Sequence, residues 1–358
     1  MGFIILKWIG IVLAVLLAIA LMAIVIARIV NYVSMRRNLK KGIDERIYVT
    51  LGGQEQYLSI QGADVSNPVI IWLHGGPAGA DTFINYPFIK YLAKDYTIVC
   101  WTQRGCGRTY YRNKKQDPKN KTATFDRAIA DLDELVDYIR ERFQKEKVIL
   151  MGHSYGTMIG SKYALTKPQK VKVYVGIGQL INMDKGERCS YEHALSKAKE
   201  KGHDTRKMEK AYEAYCKESN DESRIALRRQ VIPYHLPTKQ ANQIWLGLSS
   251  PYMNLQDVRW FLKQCQGIQR YISLNQALFD YISDADVSDY GTKYEVPVAF
   301  ISGAEDWVTP IPCIEEYREK IEAPGKELVL VEECGHVPQL DDPEEFVMEL
   351  KRMLVSVL

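Results

Sequence analysis

The seven cysteines of this 358-residue chain, at 100, 106, 189, 216, 265, 313 and 334, form no C-x-x-C pair and are odd in number. That scatter excludes the ligand spacing of a zinc site and the even framework of a disulfide-stapled domain. Free thiols fit a reducing surrounding. An excess of one charge is missing too. With 47 basic and 44 acidic side chains the formal net charge is only +3. That is too slight for a nucleic-acid partner, and no long basic run lies inside the folded part. No metal and no cofactor is expected. What is present is globular: 46% hydrophobic and 25% charged residues, enough for one large α/β domain with an insertion or two small domains.

Charge is absent altogether from Trp8 to Ala27, a run bounded by Lys7 and Arg28. At 1.5 Å rise per residue it matches a bilayer core. The rival is a cleaved signal peptide, because Ala18-Ile19-Ala20 resembles a cleavage site. The apolar run nevertheless continues through Leu21 to Ile26, which favours a retained anchor over residues 1–30. Arg28, Arg36, Arg37, Lys40, Lys41 and Arg46 follow the run. The positive-inside rule therefore expects the C-terminal domain in the cytoplasm of a single-pass membrane protein. Residues 31–46 read as a basic juxtamembrane linker.

Beyond it, Ile47–Leu51 and Gln56–Ile60 flank Gly52-Gly53 as a hairpin. Continuous apolar strands are predicted at 69–73, 97–101, 148–151, 171–175, 298–302 and 327–331. Helices are predicted at 83–92, after the Thr124 cap, and from Asp342-Pro343 onward. The acidic residues Asp131, Asp133, Glu134 and Asp137 read as the solvated face of the Thr124 helix. Strands alternating with helices imply a mostly parallel sheet covered on both faces. From 179 to 292 the pattern turns to lysine- and glutamate-rich helical periodicity, the mark of a helical cap between two halves of a core at 47–178 and 293–358.

Met151-Gly152-His153-Ser154-Tyr155-Gly156 carries the chemistry. A strand running into Gly-x-Ser-x-Gly and then a helix lifts the serine clear of the sheet as a nucleophile. A serine nucleophile needs a base, an orienting acid and oxyanion donors. Of six histidines, His193, His203 and His235 fall in the cap, His74 braces a glycine loop and His153 points elsewhere. His336, in a loop after the last strand, is left as the base. Glu305 and Asp306 after the 298–302 strand are both within reach as the acid. The backbone N–H groups of Tyr155 and Gly76 are the expected oxyanion donors. Cys106 and Cys334 read as small buried residues.

His74-Gly75-Gly76-Pro77, Gln103-Arg104-Gly105-Cys106-Gly107-Arg108, Gly152-His153-Ser154-Tyr155-Gly156, Gly303-x-x-Asp306 and Gly335-His336 together resemble the proline iminopeptidase family of α/β-hydrolases. The resemblance implies the α/β-hydrolase fold, the order Ser154, Asp306, His336, and Asp306 as the acid. It also implies release of an N-terminal residue, often proline, from short peptides, with cap carboxylates on the free amine. Glu187 and Glu192 are candidates for that contact. The sequence departs from the family at Ala78-Gly79, at Thr102 and in the residues around Ser154. A hydrolase of small acyl esters using the same triad is the alternative expectation. A catalytically inert binding module is the other.

Overall fold

The apolar runs become strands, and all but the last, at the sheet edge, are largely buried on both sides. The computed structural model describes residues 2–39, 42–265 and 267–357. Helix α1 (Gly2–Asn38) leads into strands β1 (Ile43–Leu51), β2 (Gln54–Gly62) and β3 (Val69–Leu73). Then come α2 (Tyr86–Leu92), β4 (Thr97–Thr102), α3 (Gly107–Asn113), α4 (Phe125–Arg142), β5 (Val148–His153), α5 (Tyr155–Thr166) and β6 (Val171–Ile177). The chain next leaves the sheet for α6 (Met183–Glu200), α7 (Arg206–Lys217), α8 (Asp221–Val231), α9 (Gln243–Ser249), α10 (Leu255–Cys265), α11 (Ile268–Leu274) and α12 (Gln276–Asp284). It returns through β7 (Val298–Gly303), α13 (Ile311–Lys320), β8 (Lys326–Val331), α14 (Pro338–Asp341) and α15 (Pro343–Val357).

The strands lie in the order β1-β2-β4-β3-β5-β6-β7-β8, antiparallel across β1, β2 and β4 and parallel elsewhere. Side chains alternate between two cores even where the sequence reads as uniformly apolar. Ile71, Leu73, Val148 and Leu150 pack with Leu132 and Val136 of α4 and Met158 and Ile159 of α5. Ile70, Trp72, Ile149 and Met151 face the opposite side, with Phe88 of α2 and Phe346 and Leu350 of α15. Thr124 Oγ1 accepts from Arg127 N–H at 3.2 Å and Asp342 Oδ1 from Glu345 N–H at 3.2 Å, so both helix starts are capped.

Two expectations need correction. The stretch 31–46 is not a separate linker. Its first part continues α1, and Ile43 already belongs to β1. The cause is packing: Met35 and Leu39 are buried in the second core, and Asn31 Nδ2 donates to Tyr86 Oη at 3.2 Å and to Ser249 O at 3.0 Å. Lys40 and Lys41 lie outside the described residues. Nor is the acidic row of α4 wholly solvated. Asp131 is buried and accepts from Arg104 Nε at 2.7 Å, Arg104 Nη2 at 3.0 Å and Gln56 Nε2 at 2.6 Å. Arg104 of the Gln-Arg-Gly motif thus fastens the loop after β4 to α4.

Upstream of Met35 most of α1 is bare. Phe3–Arg37 is long and apolar enough to cross a membrane, and its most apolar window is unburied.

Candidate active site

Ser154 sits between β5 and α5 with φ 51° and ψ −121°, a conformation that L residues rarely adopt and that costs on the order of 1–3 kcal/mol. Its N–H donates to Ile177 O at 2.9 Å, and its carbonyl accepts from Thr157 N–H at 2.8 Å. The flanking glycines permit the crowding. A Cβ on Gly156 would lie 2.1 Å from Leu73 O, and one on Gly152 would lie 2.5 Å from Gly156 O. The turn can close only if neither position carries a side chain.

His336 follows β8 in a loop that returns to the same sheet edge. Its Nδ1–H donates to Asp306 Oδ2 at 2.9 Å, which leaves Nε2 as the free lone pair. Asp306 is buried just past β7, and burial alone would raise its pKa. The charge and hydrogen bond of His336 and the donors of Thr309 outweigh that, so the carboxyl is held below its ordinary value. Val308 N–H (2.8 Å), Thr309 N–H (3.0 Å) and Thr309 Oγ1 (2.7 Å) complete its shell. Glu305, the other carboxylate within reach in the sequence, turns away. Thr238 donates to it from its backbone N–H at 2.5 Å and from Oγ1 at 3.0 Å, fastening the cap segment there.

Gly76 lines the same cavity as Ser154 and His336, and Tyr155 opens α5, where a first-turn N–H has no intrahelical acceptor. His74 braces this loop. Its Nδ1–H donates to Gly75 O at 2.8 Å, and its Nε2 accepts from Gln103 N–H at 3.2 Å. Burial pushes the His74 pKa down to about 4, so the ring stays neutral and keeps that tautomer. Cys106 and Cys334 are both buried.

The cavity at Ser154 measures about 300 Å³ and includes Leu180, Met183, Phe279 and Ile282 together with Arg224 and Arg228 of α8. A neighbouring cavity of about 320 Å³ under the cap shares Arg228 and His336. Glu187 lines that second cavity, but Arg228 Nε donates to its Oε1 at 2.6 Å, so its charge is already matched. Glu192 is exposed on α6. The two cap glutamates expected to hold an amine are therefore not brought together at Ser154. One is paired with a cation, and the other falls on the outward turn of its helix.

Sequence reasoning missed three residues that shape the site. His153 does not point away. Its Nε2–H donates to the His336 carbonyl at 2.8 Å, its ring stacks on Trp72, and burial followed by the nearby His336 charge pushes its pKa down to about 3. Gly178 has φ 52°, and a Cβ there would come within 3.1 Å of Asp306 Oδ2 and 3.2 Å of His336 Cε1. Thr309 supplies the two bonds to Asp306 given above. Only Gly178 left a sequence signal, as a glycine closing an apolar strand at the carboxyl edge.

A sequence model described as the alpha/beta hydrolase fold matches residues 68–205. The chain is 26% identical over 327 residues to a probable aminopeptidase of Bacillus subtilis, covering 87% of this chain and 97% of the relative. It is 25% identical over 321 residues to a proline iminopeptidase of Heyndrickxia coagulans, covering 86% and 96%. Among solved structures, a membrane phospholipase A shares the fold with a TM-score of 0.60 at 19% identity, over 98% of this chain and 97% of that one. The chain has the α/β-hydrolase fold, and in sequence it resembles aminopeptidases and proline iminopeptidases.

Proposed function

We propose that this chain is a membrane-anchored serine hydrolase of aminopeptidase type, cleaving an acyl bond through an acyl-Ser154 intermediate. The observation that carries it is the 2.9 Å contact of His336 Nδ1 with Asp306 Oδ2, beside a strained Ser154 that shares a cavity with His336. In this reading His336 Nε2 takes the Ser154 proton as Oγ attacks the carbonyl carbon, then returns it to the leaving amine. Asp306 holds the imidazole in that tautomer and balances its charge. The N–H groups of Tyr155 and Gly76 receive the developing oxyanion. Water repeats the sequence to free the acid. The relatives named above support a peptide substrate with a free amino terminus. The length and apolarity of the helix over Phe3–Arg37, unbroken past Ala20, support α1 as a membrane anchor.

A second reading, an esterase on anionic or amphiphilic acyl esters, is favoured by one observation. The cavity at Ser154 is lined by Arg224 and Arg228, each ion-paired to Asp221 or Glu187, and by no carboxylate among the described residues that could meet an ammonium group.

A fluorophosphonate probe and a paired substrate panel test both. Ser154→Ala should abolish labelling, and His336→Ala and Asp306→Asn should each lower turnover by about 10⁴-fold. Glu305→Gln should leave the chemistry near wild type; an inactive Glu305→Gln beside an active Asp306→Asn would overturn the choice of acid. A charge-assisted bond to the ammonium is worth about 1.5–3 kcal/mol, so acetylating prolyl-naphthylamide should cost about tenfold or more in kcat/KM. Equal rates on the two, with faster turnover of carboxylate-bearing esters, would select the esterase.

A further inference from the structure

We propose that the apolar cavity between α9 and α10 takes the acyl chain of a membrane lipid, with α9 seated at the bilayer surface beside α1. This rests on the reading of α1 as a bilayer span.

The chain itself sets the depth of α9. The charge-free run of α1 ends at Ala27, so Arg28 stands at the boundary between hydrocarbon and headgroups. Arg28 Nε donates to Leu248 O at 2.8 Å, and Asn31 Nδ2 donates to Ser249 O at 3.0 Å. The last turn of α9 is therefore held within one hydrogen bond of that boundary. Its neighbours suit the position. Ile244, Trp245 and Leu248 are 63%, 45% and 37% exposed, as are Leu255 (61%) and Leu262 (42%) of α10. Scattered apolar residues mean little on a surface, but these continue the bare apolar side of α1, and a tryptophan is the residue favoured at the membrane interface.

A cavity of about 290 Å³ opens among these residues, lined by Phe83, Ile84, Ile244, Val258 and Phe261. Its carboxylate, Asp81, accepts from Trp72 Nε1 at 3.0 Å and is not available to a charged ligand. An uncharged, flexible, apolar occupant matches such a lining, and the nearest source is the leaflet in which α1 stands. The shared wall residue Gln243 separates this cavity from the one that reaches His336. A chain drawn from the bilayer would thus lie one side chain away from the cavity that His336 lines.

Gly247 supplies the test. It has no positive φ, and a Cβ there would meet Met253 Sδ at 3.4 Å and Phe83 Cε2 at 3.5 Å, ordinary contacts. Gly247→Leu should fill the cavity without straining the backbone. The full-length chain is reconstituted into phosphatidylcholine vesicles containing a diazirine-bearing acyl chain, irradiated, and mapped by mass spectrometry. Label is expected on α1 and also within residues 243–264. Gly247→Leu should cut the second signal by about tenfold and leave the α1 signal unchanged. If Gly247→Leu loses its melting transition, Ile244→Gln at an exposed position should give the same loss of label. Label confined to α1, or equal label in the variants, overturns the proposal. So does a dimer that covers α9 while no lipid label reaches it, which would assign the face to a second copy. Absence of label on α1 itself would instead overturn the anchor reading.

Discussion

Asp81 and the His336 backbone are joined by a short relay of side chains. Asp81 accepts from the Trp72 indole N–H, the Trp72 ring stacks on His153 with centroids 6.2 Å apart, and His153 holds the carbonyl of His336. The carboxyl at the far end is in an unusual state. Burial pushes its pKa up to about 7 from 3.8, although the bond from Trp72 acts the other way. An acid whose folded value lies above its unfolded one favours folding when protonated. That contribution is complete below about pH 4 and is lost as the pH rises through about 7. The wild-type chain should therefore lose stability across that window more steeply than Asp81→Asn, with the variant melting a few degrees higher at pH 8. Thermal melts of both at pH 5 and pH 8 check this. Parallel pH profiles would mean that Asp81 is ionised in the fold throughout.

Among the elements, α1 does two jobs along its length. Up to about Ala27 its side chains are bare, whereas Met35 and Leu39 are almost fully buried in the core beside α2 and α15. Burying a Met or Leu side chain contributes about 1.5–3 kcal/mol. Deleting residues 1–30 removes the Arg28 bond to Leu248 but keeps Asn31, Met35 and Leu39, and should yield a soluble folded domain. Deleting residues 1–39 should cost about 3–6 kcal/mol more, read as a lower urea midpoint. Identical midpoints would mean that the docked end of α1 contributes nothing. The same helix marks where sequence reasoning fell short. Its apolar run was legible because twenty uncharged residues are a one-dimensional signal. Its continuation through Arg36 and Arg37 was not, because two exposed arginines hide a buried Met35 on the opposite side of the turn. The strands and the serine turn were legible for the first reason. Asp131 and His153 were not, since each is placed by a partner remote in sequence, Arg104 for one and His336 for the other.

At the scale of the whole molecule, the question is what keeps the cap helices in register with the sheet that carries Ser154. Hydrogen bonds to the glycine loop are part of the answer. Trp260 Nε1 of α10 donates to Ala78 O at 3.0 Å, and Tyr271 Oη of α11 donates to Pro77 O at 2.6 Å. The cap thus grips the loop that carries Gly76 from above. Arg108, the last residue of the Gln-Arg-Gly-x-Gly-Arg stretch, supplies a charged tie. Its guanidinium donates to Asp257 of α10 through Nε at 3.0 Å and Nη2 at 2.6 Å, and to Tyr57 Oη of β2 at 2.5 Å. Both side chains of the pair are nearly buried. Removing one partner of such a pair leaves the other charge desolvated and costs about 3–5 kcal/mol, whereas replacing both with apolar groups can be close to neutral. Asp257→Leu should therefore destabilise the chain strongly, and Arg108→Met combined with Asp257→Leu should recover most of the loss. A double-mutant cycle on urea midpoints measures the coupling. Turnover adds a second readout: if α10 also positions the glycine loop, the single variant should lose kcat even under conditions where it is fully folded, and the double variant should regain it. Additive losses in stability would show that Arg108 and Asp257 act independently, and that the apolar packing of Trp260 and Tyr271 holds the cap in place without them.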